Sequence, residues 1–554
     1  MPLSFIKNLK NGKDPLRELS QTPGNNTLIA GTSERLKEGE KARKRESKKE
    51  RFLDAAFMDE EREVQVRNPC HRPAFIVLTV VITLGIITMV SISIVQNKPL
   101  FQKYKYGIVL DAGSSHTSVF IYKWAAEKEN NTGMVQQTHT CNVKGKGISS
   151  YAANPDGAGT SLQDCMAEAK QIIPVQRHHE TPVYLGATAG MRLLKMQNEA
   201  ASEKVLDSVK RHLKTYPFSY QGARIISGQE EGAFGWITVN YLSKNLRKAT
   251  GTLGALDLGG ASTQITFVPK QSVESPENSI NFRLYGNDYS LYTHSFLCFG
   301  KDQALRLSLA EILRSTLDKT NPTQLKDPCF HNGYNIEKKN EDVFNTPCIT
   351  APIATAKTFF HVGLGNWSEC QKSIKKVFNT SICSYSSCSF NGVFQPSVYG
   401  NFGAFSAFFF VMDFLNLTRN TLDDAKVKLA EYCATPWTEL VHRYPTLPKK
   451  YLSEYCFSGT YILTLLEEGY NFTSNNWKDI QFIKKIGESD AGWTLGYMLN
   501  LTNMIPAEAP DTPLMAYEGY VTFMVLFTVI IFLLFVLGYL YYHRYTRTGQ
   551  KNII

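Results

Sequence analysis

The chain has 554 residues, 43% hydrophobic and 20% charged, with 60 Lys and Arg against 50 Asp and Glu for a formal net charge of +10. At roughly 100–200 residues per domain this is enough for several folded cores, and the composition excludes a disordered or collagen-like chain. The positive excess sits mainly at the ends: residues 1–73 carry 16 Lys and Arg against 12 Asp and Glu, and residues 98–542 are nearly balanced, so no nucleic-acid partner is expected.

In chain order, residues 1–73 read as a polar tail whose basic cluster, Lys41 to Arg51, is interleaved with Glu46 and Glu50, as on a solvated segment. Residues 74–95 then form an uncharged apolar run of 22, and residues 520–542 a second of 23. Each is long enough for a helix to cross a bilayer. The first lacks the short charged leader and small-residue cleavage site of a signal peptide, so it reads as a retained anchor. Two spans put both tails on one side. Arg67 and Arg72 before the first span, and Arg544, Arg547 and Lys551 in the tail 543–554, make that side cytoplasmic by the positive-inside rule.

The stretch between the spans should therefore lie in an oxidising compartment. It holds ten of the 11 cysteines, an even number as disulfides require, and contains no CxxC of a zinc site. Cys70, on the cytoplasmic side, is either a plain thiol or a palmitoylation site. Six N-x-S/T sequons, at Asn130, Asn366, Asn379, Asn416, Asn471 and Asn500, fall between the spans as glycosylation sites, whereas Asn25 heads one in the cytoplasmic tail that should stay unmodified.

The region between the anchors is too long for one core and suits two lobes. It contains an internal repeat. Residues 106–122, YGIVLDAGSSHTSVFIY, and 254–268, GALDLGGASTQITFV, both run strand, small-residue turn, strand, and both contain D-x-G-x-x-x-T, from Asp111 to Thr117 and from Asp257 to Thr263. Between them residues 203–216 have helical apolar spacing, so strands alternate with helices in an α/β pattern. His178 and His179 read as exposed loop residues, and the aromatic run Phe408–Phe410 as core.

A turn of small residues after a strand leaves backbone N–H groups open to an anion and suits phosphate oxygens. Ser114, Ser115, His116, Thr117, Ser262 and Thr263 add side-chain donors. The Asp that opens each turn would repel phosphate unless a divalent cation lay between them, its coordinated waters held by the carboxylates. Two facing loops would then grip a polyphosphate from both sides. Each element also has a plainer reading. Asp111 and Asp257 suit turns, Ser262 a hairpin, Glu230 and Glu231 an exposed helix start, and Thr188 and Arg192 a structural turn after the strand PVYLGATAG.

Tandem strand–loop–strand units of this kind resemble the actin, sugar-kinase and heat-shock ATPase superfamily. The stretches DAGSSHT (111–117), ATAGMR (187–192), GQEEGAFGW (228–236), DLGGASTQ (257–264) and DAGWTLGYMLNLTN (490–503) narrow this. They resemble the apyrase-conserved regions of the ecto-nucleoside triphosphate diphosphohydrolases, and the two spans and ten cysteines fit the cell-surface branch. The resemblance covers about residues 98–542.

It implies two RNase H-like lobes flanked by transmembrane helices, lobe I over 98–227 with a return at 484–515, and lobe II over 228–483. It also implies a plasma-membrane apyrase that removes the terminal phosphate of extracellular ATP, then ADP, and so ends purinergic signalling. The cofactor would be Ca²⁺ or Mg²⁺. Implied partners are nucleoside di- and triphosphates, the lipid bilayer and further copies in a homo-oligomer. Glu231 would be the base that deprotonates the attacking water, and Ser262 and Gln264 would orient that water. Asp111, Asp257, Thr188, Glu231 and Trp493 would surround the metal's waters. Ser114–Thr117 and the loop Gly259, Gly260, Ala261, Ser262 and Thr263 would bind phosphate, with Phe410 and Tyr451 on the base. The implied disulfides are Cys141–Cys165, Cys298–Cys348, Cys329–Cys370, Cys383–Cys388 and Cys433–Cys456. A kinase would need to exclude water and bind an acceptor; a nucleotide receptor on the same scaffold would need no water-activating set.

Overall fold

The computed structural model describes residues 73–96, 103–127, 134–246, 251–316, 324–350, 357–502, 505, 507–508 and 515–551. The polar head, Asn25, Cys70 and the sequon at Asn130 lie outside the described residues. Two compact units result, one containing both apolar helices and the other within residues 99–512.

In the first unit the helices Pro73–Gln96 and Tyr517–Lys551 are long and apolar enough to cross a membrane. They pack antiparallel. Leu78 meets Gly538, Gly85 meets Ile531, and Thr528 donates to Met89 Sδ at 3.7 Å. Polar contacts gather at one end, where Tyr520 donates to Ser93 at 3.1 Å and the Gln96 amide exchanges two hydrogen bonds with the backbone of Met515. Within the first helix the hydroxyls of Thr79, Thr83 and Thr88 donate back to carbonyls one turn earlier, which satisfies them without water.

The second unit is built on two sheets. The first contains β1 (Tyr104–Ala112), β2 (Thr117–Ala125), β3 (Gln136–Asn142), β4 (Pro182–Ala187) and β5 (Ser219–Ile225) in the order β3-β2-β1-β4-β5. The first three are antiparallel neighbours, and β4 and β5 run parallel to β1. Alternation splits β1 between two cores. Ile108 and Leu110 pack with α1 (Gln163–Ile172) and α3 (Glu199–Leu213), whereas Val109 faces the opposite side with Tyr122 and Trp124. Between those helices lies α2 (Ala189–Gln197). The helix expected over 203–216 starts earlier because the Asn198 side chain caps it, accepting from the Ala201 N–H. His178 is buried, contrary to its reading as an exposed loop residue: its Nε2 donates to the Ile173 carbonyl at 2.8 Å and its ring packs on Phe218.

The helix α4 (Gly228–Leu242) leads to the second sheet, formed by β6 (Gly254–Leu258), β7 (Ser262–Phe267), β8 (Ser279–Leu284), β9 (Asn287–Leu297), β13 (Phe402–Ser406) and β14 (Ile480–Phe482). A small separate sheet, β10 (Gln324–Asp327), β11 (Asn335–Lys339) and β12 (Thr358–Gly363), is inserted before β13. The order β9-β7-β6-β13-β14 repeats that of the first sheet strand for strand, with β8 added at the edge. Both sheets are thus RNase H-like, arranged as in actin-type ATPases. Their hairpins share one register: Asp111 pairs with Ser118, and Asp257 with Gln264, in each case seven residues on.

Four further helices bear on the site, α5 (Lys301–Thr316), α6 (Ala407–Phe414), α7 (Lys449–Thr464) and α8 (Trp493–Thr502). α4 lies on β6, β7 and β9, α8 lies on β1 and β2, and the two helices pack on each other. Gly496 N donates to Thr238 Oγ1 and Thr494 Oγ1 meets Tyr122 OH, both at 2.8 Å. Trp124, Trp236, Phe405 and Met498 form one apolar layer there. The ten cysteines form Cys141–Cys165, Cys298–Cys348, Cys329–Cys370, Cys383–Cys388 and Cys433–Cys456.

Candidate active site

The carboxyl ends of β1 and β6 bring the two repeat loops together, the edge of an α/β sheet where ligands bind. A β-carbon placed on Gly260 of the second loop would lie 2.7 Å from Ser114 Oγ of the first. Asp111 and Asp257 stand at the base of this cleft. Glu231 enters from the first turn of α4. The two adjacent acids there have different tasks: Glu230 completes a capping box with Ser227 and pairs with Arg224, while Glu231 is only 7% exposed.

Around Glu231 is a dense polar cluster. The Arg192 guanidinium, from α2, donates to Glu231 Oε2, to Ser262 Oγ at 3.2 Å and to Ser295 Oγ at 3.3 Å. The Gln264 amide donates to Ser262 Oγ at 2.7 Å, to Ser295 Oγ at 2.9 Å and to Glu231 Oε2 at 3.2 Å. Gln264 Oε1 is buried with no partner, as is Asp111 Oδ1. The indole N–H of Trp493 faces the Asp111 carboxyl, and its ring lies against Gly186, the residue paired with Asp111 across β1 and β4.

Charge here is poorly balanced. Burial pushes Glu231 up to about 8, against the pull of Arg192, and the two aspartates raise it further. Burial raises Asp111 to about 7, with Asp257 adding repulsion, and raises Asp257 to about 6. Arg192 pairs with Glu231 and not with the two aspartates, and an Asp111 oxygen is left unpaired, so these acids form a donor set suited to a divalent cation. Among the described residues no group of three His, Cys, Asp or Glu side chains stands close enough to hold an ion directly.

The other candidates divide. Thr188 is buried and directly precedes α2, its amide donating to the Ala112 carbonyl at 3.1 Å. Ser115 and His116 are exposed, with Ser115 Oγ 3.0 Å from His116 Nδ1, whereas Thr117 is buried. The expectation that Thr263 lends a hydroxyl is corrected: Thr263 Oγ1 lies 2.9 Å from both the Asp257 carbonyl and Tyr470 OH, so it is committed to the fold. The carbonyls of Gly259 and Gly260 accept from the first amides of α5, which brace the loop from behind, and Ala261 packs on Ala189 and Leu193.

Only part of the aromatic run is core. Phe408 is fully buried, but Phe410 is 54% exposed, with Lys484 Nζ 5.8 Å from its ring centre. Tyr451, on α7, is also exposed and carries Lys450. Of the described sequons Asn366, Asn379, Asn416 and Asn471 are exposed and Asn500 half-buried.

Residues that carried no sequence signal also belong here. Ser295 reaches the site from β9. Lys301 lies between Asp302 at 2.5 Å and Glu454 at 3.2 Å, which hold it charged despite its burial, and Asp302 borders Gly260. A lysine at the start of α5 has no spacing that marks it.

Residues 97–514 match the GDA1/CD39 (nucleoside phosphatase) family. The chain is 49% identical to ectonucleoside triphosphate diphosphohydrolase 1 of Mus musculus over 507 residues, 88% of this chain and 98% of that one. It is 45% identical to ectonucleoside triphosphate diphosphohydrolase 2 of Gallus gallus, covering 77% of this chain and 89% of the relative. A crystal structure of nucleoside triphosphate hydrolases from Neospora caninum shares the fold, with a TM-score of 0.56 at 15% identity over 80% of this chain and 99% of that one.

Proposed function

Because the chain belongs to the GDA1/CD39 (nucleoside phosphatase) family, we propose that its cleft removes the terminal phosphate of extracellular nucleoside tri- and diphosphates, taking ATP to ADP and then AMP. One observation carries this reading: two matched Asp-opened loops face each other beside a buried glutamate, with orphaned acceptors around it. Phosphoryl transfer needs positioning, charge neutralisation and a placed nucleophile more than covalent catalysis.

The residues supply those parts. A water in the cleft has two protons to place. Glu231, which a cation's charge in the cleft would return to the carboxylate form, takes one as the oxygen attacks phosphorus and the phosphoanhydride bond breaks, and Gln264 Oε1, otherwise without a partner, accepts the other. Ser262 Oγ already accepts from Gln264 and Arg192, which leaves its own proton free to point at the water. General-base help of this kind contributes about 10²–10⁴-fold. A divalent cation, Ca²⁺ or Mg²⁺, would be held through water by Asp111 and Asp257, with Thr188, Glu231 and Trp493 around it, and would neutralise the phosphates. Ser114–Thr117 and Gly259–Ser262 would hold the phosphates, and Phe410 and Tyr451, both exposed, would take the base.

We place the lobe boundaries as the family resemblance implies, about 98–227 with 484–515 for lobe I and 228–483 for lobe II. Both tails are cytoplasmic and the cleft extracellular at the plasma membrane, a reading supported by the basic flanks, the disulfides and the exposed sequons. The test is phosphate release by intact expressing cells given ATP, ADP or AMP, with and without chelator. Chelator-sensitive hydrolysis of ATP and ADP but not AMP is expected. Release from AMP, or from none of the three, overturns the reading.

A further inference from the structure

Ser406 stands at a place in the fold that the chemistry above does not use. It is the last residue of β13, and α6 starts at the next residue, so strand turns into helix with no loop between. The turn is made at φ 56° and ψ −130°. Glycine enters that left-handed region freely, whereas a residue with a side chain holds it only under constraint from its surroundings. A serine just before a helix ordinarily accepts a hydrogen bond from a backbone N–H of the first turn. Ser406 makes no such bond.

The register shows what the unusual backbone achieves. β13 lies parallel beside β6, with Phe405 opposite Asp257 and Ser406 opposite Leu258. In a regular strand side chains alternate between faces. Leu258 belongs to the core on one face of the second sheet and Phe405 to the core on the other, so alternation would send Ser406 away from Asp257. The left-handed turn breaks the alternation and re-aims the side chain. Its hydroxyl donates a hydrogen bond to the Asp257 carboxyl. Strained strand-to-helix elbows are known to display a hydroxyl at the carboxyl edge of a sheet in this way.

The repeat supplies a second argument. In the first sheet β4 lies parallel beside β1 as β13 lies beside β6. Thr188 directly precedes α2 as Ser406 directly precedes α6, and neither side chain caps its helix. Each aspartate therefore has a hydroxyl residue at the start of the helix that follows its neighbouring parallel strand.

We propose that Ser406 is a positioning residue that holds the Asp257 carboxylate in the orientation in which it grips the waters of the divalent cation, the counterpart of Thr188 beside Asp111. This rests on the hydrolase reading above. The strained backbone is kept because it aims the hydroxyl.

Full-length protein in detergent micelles, as Ser406→Gly and Ser406→Ala variants beside the parent, tests this. Glycine removes both strain and hydroxyl; alanine removes the hydroxyl alone. In chelator, Ser406→Gly should unfold at or above the parent's temperature. With Ca²⁺ titrated in, the concentration that gives half the maximal thermal shift should rise about tenfold or more in both variants, as loss of an outer partner of a metal ligand commonly does. The Ca²⁺ requirement for phosphate release should rise with it. A Ser406→Gly protein that unfolds earlier than the parent in chelator, or a half-maximal Ca²⁺ concentration within about twofold of the parent's, overturns the role. The parent separates the two failures. If it releases phosphate from ATP and ADP in a Ca²⁺-dependent way while the variants match it, only the role of Ser406 falls. If it shows no such release, the hydrolase reading falls.

Discussion

Gly228 opens α4 where the helix meets β9, and a single methyl group there would test whether the polar cluster must be held tightly. A β-carbon on Gly228 would lie 2.2 Å from Ser295 Cβ, 2.4 Å from Ser295 Oγ and 2.5 Å from Arg192 Nη1. Carbon atoms sit comfortably at about 3.5–4.0 Å, so the overlap exceeds 1 Å. Arg192 can swing aside, but Ser295 Cβ is fixed to its strand. Helix and strand must therefore part by roughly 1 Å, which pulls Ser295 from Gln264 and Arg192 from Glu231. Misplacement of that size costs about 10²-fold in turnover, or about 2.7 kcal/mol of transition-state stabilisation. Stability should fall by about 1–3 kcal/mol for overpacking, offset in part by alanine's better helix propensity. The assay is kcat/KM for phosphate release from ATP and ADP by purified Gly228→Ala protein, with its unfolding temperature measured in parallel. A folded variant within about threefold of the parent's kcat/KM would refute the argument that this contact positions Glu231.

Two further outcomes follow from the geometry. Glu231→Ala should lower turnover by about 10²-fold or more with the protein still reaching the cell surface, whereas Glu230→Ala should keep turnover and lose about 1 kcal/mol of stability with its capping box; equal turnover in the two variants would contradict the division of labour between the adjacent acids. Falling pH sets two groups against each other in the unit that carries the cleft: the raised acids Glu231, Asp111 and Asp257 gain stability as they are protonated in the fold, and two buried histidines lose it. Burial holds His294 and His331 down at about 4, below the ordinary value near 6.5, so the unfolded chain takes up their protons first. Their contribution is complete above about pH 6.5, is lost as pH falls from there towards 4, and amounts to a few kcal/mol for the pair. Thermal unfolding of parent and His331→Asn compared across that range isolates the histidine's part: the variant should lose less, or gain more, stability than the parent as pH falls, and parallel profiles would refute the account.

The large features could be read from sequence because each leaves a periodic or compositional trace. Span lengths, the cysteine count and the strand–turn–strand repeat are of this kind. Even the shared register follows from the equal spacing between Asp and Thr in the two loops. What could not be read has a physical reason in each case. Three consecutive aromatics on a helix point about 100° apart, so Phe408–Phe410 could not all be core, and Phe410 faces out. Arg192 stood inside a quoted motif, yet nothing in ATAGMR says that its guanidinium crosses to α4. Ser295 lies on an edge of alternation in β9 with no motif around it, and the left-handed backbone of Ser406 is a property of its neighbours rather than of serine. Thr263 repeats Thr117 in sequence but is occupied by Tyr470, which arrives from 207 residues away.

The packing of α8 sets an order on how the chain can mature. The strands of the first sheet are complete by Ile225, but the helix that covers Val109, Tyr122 and Trp124 begins only at Trp493. At about 5–20 residues per second, the ribosome needs on the order of tens of seconds to make the intervening segment, and the second sheet with four of the five disulfides is laid down in that interval. One apolar face of the first-made sheet must wait, uncovered, for nearly the last folded segment before the second span. The Trp493 ring also lies against Gly186, the residue paired with Asp111. A chain that stalls or is cut before Trp493 therefore lacks the cover of its oldest sheet, and should be retained by the chaperones that recognise exposed apolar strands rather than delivered as a weakened enzyme.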